Sequence, residues 1–125
     1  MSEGEEACII TYGMGVVWAQ QYQAANVQHE ISILDLRTLA PLDYEAIEKV
    51  VKSTGKVMVL HEDNLTGGIG GEISAWIAEH CFTKLDAPIL RCASLDTPIP
   101  FNLVLEKQYL ANSRLHESMQ KLLAF

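Results

Sequence analysis

The chain has 125 residues, 49% hydrophobic and 20% charged, an ordinary globular composition that argues against disorder. A chain of this length buries roughly two thirds of the surface its unfolded form exposes, so one domain over residues 1–125 can hold one continuous core. The net charge of −7, with nine scattered Lys and Arg residues, speaks against nucleic acid as a partner, and runs such as Val57-Met58-Val59-Leu60 are far short of the ~20 apolar residues of a membrane span.

In chain order, Cys8-Ile9-Ile10-Thr11-Tyr12 is a continuous apolar, β-favouring run, as expected of a strand covered on both faces. It ends at Gly13, and residues 14–25 read as a helix. Residues 31–36 form a second strand. Leu42-Asp43 then opens a helix in which Asp43 suits the N-cap and Leu42 packs on Ile47 as a hydrophobic staple. Val50 and Val51 continue its buried face, and Gly55 ends it. The third strand covers residues 56–61, followed by a glycine-rich loop and a helix from about Gly71 to Phe82. Ile69, Ile73, Trp76, Ile77 and Cys81 recur there at the spacing of one buried face. Residues 88–93 form the fourth strand, and the proline-braced Asp96-Thr97-Pro98-Ile99-Pro100 leads away from it. Asn112 or Ser113 is expected to cap a last helix striped with Leu115, Met119, Leu122 and Leu123.

Strands alternating with helices imply βαβ units: an α/β fold with a mostly parallel sheet, helices on both faces and right-handed crossovers. Ligands and partners of such sheets meet the loops at the carboxyl ends of the strands, here residues 12–15, 37–43, 61–71 and 94–101. Cys8, Cys81 and Cys92 form no Cys-x-x-Cys pair and no even set, so buried reduced thiols in a reducing compartment are expected. No positively charged leader precedes an apolar stretch, which points to an intracellular protein.

Gly13-Met14-Gly15 invites a dinucleotide-binding reading, but Trp18 stands where the third glycine belongs, and Asp35 is followed by Leu36-Arg37 rather than ending its strand. The competing reading is a tight turn that lets the helix pack closely on the sheet. His61-Glu62-Asp63 is the densest polar cluster at a strand end. It lacks metal-ligand spacing, and Glu62 or Asp63 is expected to cap amides of the following loop. Thr66-Gly67-Gly68-Ile69-Gly70-Gly71 runs into a helix N-terminus without the lysine of a P-loop. Four glycines in five positions require either positive φ or another chain lying close. Asp96-Thr97-Pro98-Ile99-Pro100-Phe101 is stiff and partly apolar, suited either to another domain or to covering this domain's own core. No nucleophile–base pair or metal set assembles.

As a set, Ile9-Ile10-Thr11-Tyr12-Gly13, the stretch from Leu34 through Arg37-Thr38-Leu39 to Asp43, His61-Glu62, Leu65-Thr66-Gly67-Gly68 with Glu72-Ile73, Asp86-Ala87-Pro88 and Asp96-Thr97-Pro98-Ile99-Pro100 resemble one family in order and spacing. It is the C-terminal domain of the beta subunits of thiamine-diphosphate-dependent 2-oxo acid dehydrogenases, which shares its fold with the transketolase C-terminal domain. The resemblance runs from about Glu3 to Leu123, and the spacing from His61 to Gly68 is nearer to the branched-chain (2-oxoisovalerate) type than to the pyruvate type.

The resemblance implies a three-layer α/β/α domain with a mixed five-stranded sheet, one strand antiparallel. It implies part of an oxidoreductase that decarboxylates a 2-oxo acid and passes the acyl group to a lipoyl group. Thiamine diphosphate and magnesium would sit between the alpha subunit and the N-terminal half of the beta subunit, so this domain alone would be inactive. It would build the beta–beta contact and help dock the acyltransferase core, whose basic subunit-binding domain gives the acidic surface a use. Candidate interface residues are His61, Glu62, Thr66, Gly67, Gly68, Asp96, Pro98, Ile99, Pro100, Phe101 and the terminal carboxylate of Phe125.

The family has a further strand before the position of Glu3 and a long N-terminal part before that, so a segment of a longer subunit is expected, with Met1 and Ser2 foreign to it. Proline commonly stands at the position of Ala111. Alternatives are the equivalent domain of transketolase or deoxyxylulose-phosphate synthase, and a free-standing nucleotide-binding domain using residues 13–15 and 67–71. The expected location is the cytoplasm, or the mitochondrial matrix in a eukaryote.

Overall fold

Each apolar run expected to be a strand is one, and each is followed by a helix that returns the chain to the same end of the sheet. The computed structural model describes residues 4–125, so the reading of Met1 and Ser2 lies outside the described residues. The elements are β1 (Ala7–Thr11), α1 (Met14–Ala25), β2 (Ile31–Asp35), α2 (Tyr44–Thr54), β3 (Val57–Asn64), α3 (Ile69–Cys81), β4 (Leu90–Ser94), α4 (Leu103–Tyr109) and α5 (Asn112–Leu123), with a short 3-10 turn at Phe82–Lys84. The sheet order is β2-β1-β3-β4, with Ile9 opposite Ile33 on one side and Met58 on the other.

Alternation along the strands divides the core into two layers. Ile9, Ile31, Ile33, Met58 and Leu60 pack under α1 and α5, against Trp18, Leu115, Met119 and Leu122. Cys8, Ile10, Leu34, Val57 and Val59 pack under α2 and α3, against Ile47, Val51, Ile73 and Ile77. The result is the expected three-layer α/β/α fold. The sheet is not mixed, however. Among the described residues all four strands are parallel, because every connection is a helical crossover, and no antiparallel fifth strand pairs with them.

Local signals decide several boundaries. Asp43 caps α2, its Oδ1 accepting from the Ala46 amide at 3.0 Å, while Gly55 closes the helix at φ 71° with its N–H on the Val51 carbonyl at 2.9 Å. The Gly13-Met14-Gly15 turn is structural. Gly13 takes φ 57°, and a Cβ on Gly15 would fall 2.0 Å from Thr11 Oγ1, so glycine lets α1 close on β1.

Other boundaries differ from the sequence reading. α3 starts at Ile69 rather than Gly71, and β3 runs to Asn64 because its end pairs with Ser94 after a register shift. α4 is an additional helix: the Asn102 side chain accepts from the Val104 and Leu105 amides at 2.9 and 3.4 Å. Neither Asn112 nor Ser113 caps α5. Ala111 is already helical at φ −54°, and the Ser113 hydroxyl turns back to the Leu110 carbonyl at 2.9 Å. All three cysteines are free and buried, and burial pushes the Cys8 thiol up to about 12.

Candidate assembly surface

The surface forms where β3 and β4 end. Leaving β3, the chain must turn sharply into α3, and the fully buried ring of His61 forms the floor of that turn. Gly67 takes φ 78° with open space around it, so backbone conformation requires it. Gly68 and Gly70 are required by proximity: a Cβ would lie 2.6 Å from His61 Cε1 at the first and 2.6 Å from His61 Nε2 at the second. Gly68 and Gly70 thus answer to contacts within the chain, at Gly68 also to the Asn64 carbonyl oxygen, 2.4 Å from such a Cβ. Gly71 is unconstrained, its nearest neighbour being Arg91 Nη1 at 3.6 Å.

His61 Nδ1–H donates to the Asp63 carbonyl at 3.1 Å, and the ring stacks on Tyr12 with centroids 6.2 Å apart. Its Nε2 has no hydrogen-bond partner among the described residues. Burial pulls its pKa below the ordinary histidine value and Arg91 adds to this, while the Asp63 carbonyl and carboxylate oppose it.

The loop is clasped by Asp96, thirty residues away. One Asp96 oxygen accepts from the Thr66 amide at 2.8 Å and the other from the Thr66 hydroxyl at 2.6 Å, which holds the carboxyl below its usual range. Neither expected acid does this. Asp63 caps the Asn64 amide at 2.8 Å, and Glu62 is exposed, its carbonyl taking the Ser94 hydroxyl.

Two further side chains tie down the segment beyond β4. Asn64 Nδ2 donates to the Leu95 carbonyl and, at 3.4 Å, to Tyr109 Oη. Arg114 Nη2 donates to the carbonyls of Ala93 and Tyr109 at 2.6 and 3.1 Å, and Nη1 to that of Gln108 at 2.9 Å. Residues 95–109 are therefore a strap anchored at both ends. Between the anchors its apolar residues face water: Ile99 is 68% exposed, Leu103 74% and Phe101 fully. Of the two readings for Ile99 and Phe101, covering this domain's own core is excluded.

Thr66, Gly67, Asp96, Pro98, Ile99 and Phe101 thus share one exposed end of the sheet with Glu62, while Pro100 is half-buried and His61 and Gly68 lie beneath the surface. Phe125 is not among them. α5 starts beside the end of β4 through Arg114 and finishes where Lys56 Nζ, just before β3, reaches the Leu123 carbonyl at 3.2 Å. Phe125 therefore belongs to the opposite end of the sheet. Sequence reasoning missed Leu103, Val104 and Leu105, whose one signal was Asn102 as an N-cap after Pro100.

The donors present do not suit a diphosphate with its magnesium ion. Asp96 already occupies the amide and hydroxyl of Thr66, and no three His, Cys, Asp or Glu side chains among the described residues are placed to hold a metal. No helix among the described residues is long and apolar enough to cross a membrane.

The fold is that of a solved chain described as split gene transketolase, inactive beta4 tetramer. The TM-score is 0.79 at 21% identity, covering 98% of this chain and 40% of that one. The family model described as Transketolase, C-terminal domain matches residues 1–114, and the chain belongs to that family.

Among curated relatives, the 2-oxoisovalerate dehydrogenase subunit beta of Bacillus subtilis (strain 168) is 40% identical over 98% of this chain and 39% of its own length. The mitochondrial 2-oxoisovalerate dehydrogenase subunit beta 2 of Arabidopsis thaliana is 39% identical over 88% of this chain and 31% of its own length. The pyruvate dehydrogenase E1 component subunit beta of Rhizobium meliloti (strain 1021) is 34% identical over 87% of this chain and 24% of its own. The chain thus spans at most 39% of these curated relatives.

Proposed function

We propose that the chain is the C-terminal assembly domain of the beta subunit in the decarboxylating component of a 2-oxo acid dehydrogenase complex, of the branched-chain type. The relatives supply the enzyme class. The observation that carries the assembly role is the strap, a segment fixed at both ends that holds Ile99, Phe101 and Leu103 out to solvent.

On this reading the whole enzyme carries out thiamine-dependent oxidative decarboxylation and acyl transfer to a lipoyl group. Thiamine diphosphate and magnesium are held by the alpha subunit and the N-terminal part of the beta subunit. The strap and the residue 66–71 loop meet a second beta subunit or the alpha subunit. The net charge of −7 suits a basic docking domain of the acyltransferase core. The working location is the cytoplasm of a bacterium or, as the name of the Arabidopsis relative indicates for that protein, a mitochondrion.

Analytical ultracentrifugation of the chain tests this. A concentration-dependent dimer that Phe101→Ser with Leu103→Ser returns to monomer is expected, and a strictly monomeric wild type at millimolar concentration overturns the assembly role. Decarboxylation of 2-oxoisovalerate by the chain alone with thiamine diphosphate and magnesium contradicts it. Saturable nucleotide binding favours the free-standing alternative.

A further inference from the structure

We propose that His61 is a neutral latch that holds the glycine turn of residues 65–71 on the sheet, and that protonation of its ring releases this turn while the strands stay folded. This goes beyond the assembly role and rests on the fold alone. His61 is the one fully buried histidine among the described residues. The Asp63 carbonyl can only accept, so Nδ1 carries the proton and Nε2 is the free base.

Nε2 abuts the first turn of α3, where a Cβ on Gly70 would be 2.6 Å away. A second proton there would place a donor and a positive charge with no acceptor in reach among the described residues. It would also face the amides of a helix N-terminus, themselves donors with partial positive charge. The ionisable groups on the surrounding elements are Tyr12 after β1, Glu62 and Asp63 on β3, Arg91 on β4, and Glu72 in the first turn of α3. Asp63 favours the imidazolium, Arg91 opposes it, and burial opposes it most.

The surrounding core is close-packed, so the charge is relieved by lifting the turn. Its glycines permit that movement, and its outer face is held mainly by Asp96. A ring freed into water regains a pKa of about 6.5. Because the closed state lowers that value, the latch acts fully above about pH 6.5 and weakens as pH falls toward the lower value of the closed ring. With the closed ring still neutral, opening at about pH 5 is favoured up to roughly thirty-fold over pH 8. Asp96, held below the usual carboxylate range, stays ionised across this window, so the outer clasp is not the titrating group.

The test is amide hydrogen exchange, corrected for intrinsic rates, on Leu65, Thr66 and Gly71, whose amides are bonded to Ser94, Asp96 and Gly68, with Val59 and Leu60 of β3 as the reference. Between pH 8 and pH 5 the turn should lose about tenfold or more of its protection while β3 keeps its own. His61→Asn, whose side-chain amide still donates to the Asp63 carbonyl without titrating, should remove the pH response. The latch is overturned if the wild-type turn shows no pH response, if turn and strand open together, or if His61→Asn responds as the wild type does. Nitrogen resonances of the wild-type imidazole give a readout that needs no variant. The Nδ1–H tautomer and a lowered pKa are expected, and an Nε2–H tautomer or an ordinary histidine titration overturns the proposal.

Discussion

Gly70 and Gly71 stand side by side in the first turn of α3, yet alanine at each should move stability in opposite directions. In a helix alanine is favoured over glycine by up to about 1 kcal/mol. At Gly71 a new Cβ would meet nothing closer than Arg91 Nη1 at 3.6 Å, an ordinary contact with a flexible side chain. Gly71→Ala should therefore stabilise the domain by ~0.5–1 kcal/mol. At Gly70 the Cβ would lie 2.6 Å from His61 Nε2, 2.9 Å from Cδ2 and 3.4 Å from Val59 Cγ1. Ordinary separations are about 3.5–4 Å, so the methyl overlaps the ring by roughly 1 Å, and a fully buried ring cannot swing away. Overpacking of this kind costs ~1–3 kcal/mol, and after a gain in helix propensity of up to ~1 kcal/mol a net loss of up to ~2 kcal/mol remains for Gly70→Ala. Urea unfolding followed by circular dichroism measures both variants, and Gly70→Ala in a His61→Ala background should recover part of the loss. A Gly70→Ala midpoint at or above that of the wild type would refute the close packing of the turn on His61.

Arg114→Met removes the charged donor shared by the Ala93, Gln108 and Tyr109 carbonyls, and a loss of ~1.5–3 kcal/mol is expected with little rescue by lysine, which lacks the planar fork. An unchanged urea midpoint would show that these bonds do not anchor the strap. Asp96→Asn should reduce exchange protection at the Thr66 amide while leaving the sheet intact. In a His61→Asn background, where the latch does not titrate, the clasp should hold as pH falls to the ordinary carboxylate range near ~4, weakening only below it, because the folded value is depressed. Loss of the Thr66 amide signal of the clasp by pH 5 in a His61→Asn background would contradict this. The Cys8 thiol, pushed up to about 12 by burial, should react with a disulfide reagent at pH 8 only as fast as the domain opens, and rapid stoichiometric labelling of Cys8 would count against its burial.

What was legible in the sequence was whatever a few neighbouring residues decide. Asp43 and Gly55 mark the ends of α2 by their own chemistry, and the runs around Ile9 and Val59 are apolar at every position because both faces of a central parallel strand are covered. The start of α3 at Ile69 is masked in the sequence because Gly70 and Gly71 lower helix propensity. Gly70 is there because a buried ring lies beneath it, a tertiary fact. α4 was hidden behind Pro98 and Pro100, with only the Asn102 cap to announce seven helical residues. The same distinction governs the site. The stiffness and apolar character of residues 96–101 could be read directly, but their exposure could not, since an isoleucine or phenylalanine reads first as core. The proline-rich setting of Asp96 marks it in the sequence, but its pairing with Thr66 exists only because β4 brings the two loops together.

The strap also fixes the direction in which stability and assembly should separate. Each large apolar side chain left in water forgoes ~1.5–3 kcal/mol, so Ile99, Phe101, Leu103 and Val104 together leave on the order of 6–12 kcal/mol ungained, comparable with the whole stability of a small domain. Yet Asp96, Asn64 and Arg114 fasten the backbone on either side, so a partner would meet a segment whose ordering is largely complete before contact. Phe101→Ala and Leu103→Ala should therefore change the unfolding free energy of the monomer by less than ~0.5 kcal/mol, the range of ordinary surface substitutions. The same changes should weaken self-association at least tenfold, which corresponds to ~1.4 kcal/mol and is modest for truncating apolar anchors at an interface. Sedimentation equilibrium and urea unfolding on the same samples separate the two quantities. A loss of ~2 kcal/mol in the monomer with association unchanged would mean that these side chains are covered within the domain, and the strap would then be part of its core rather than its contact surface.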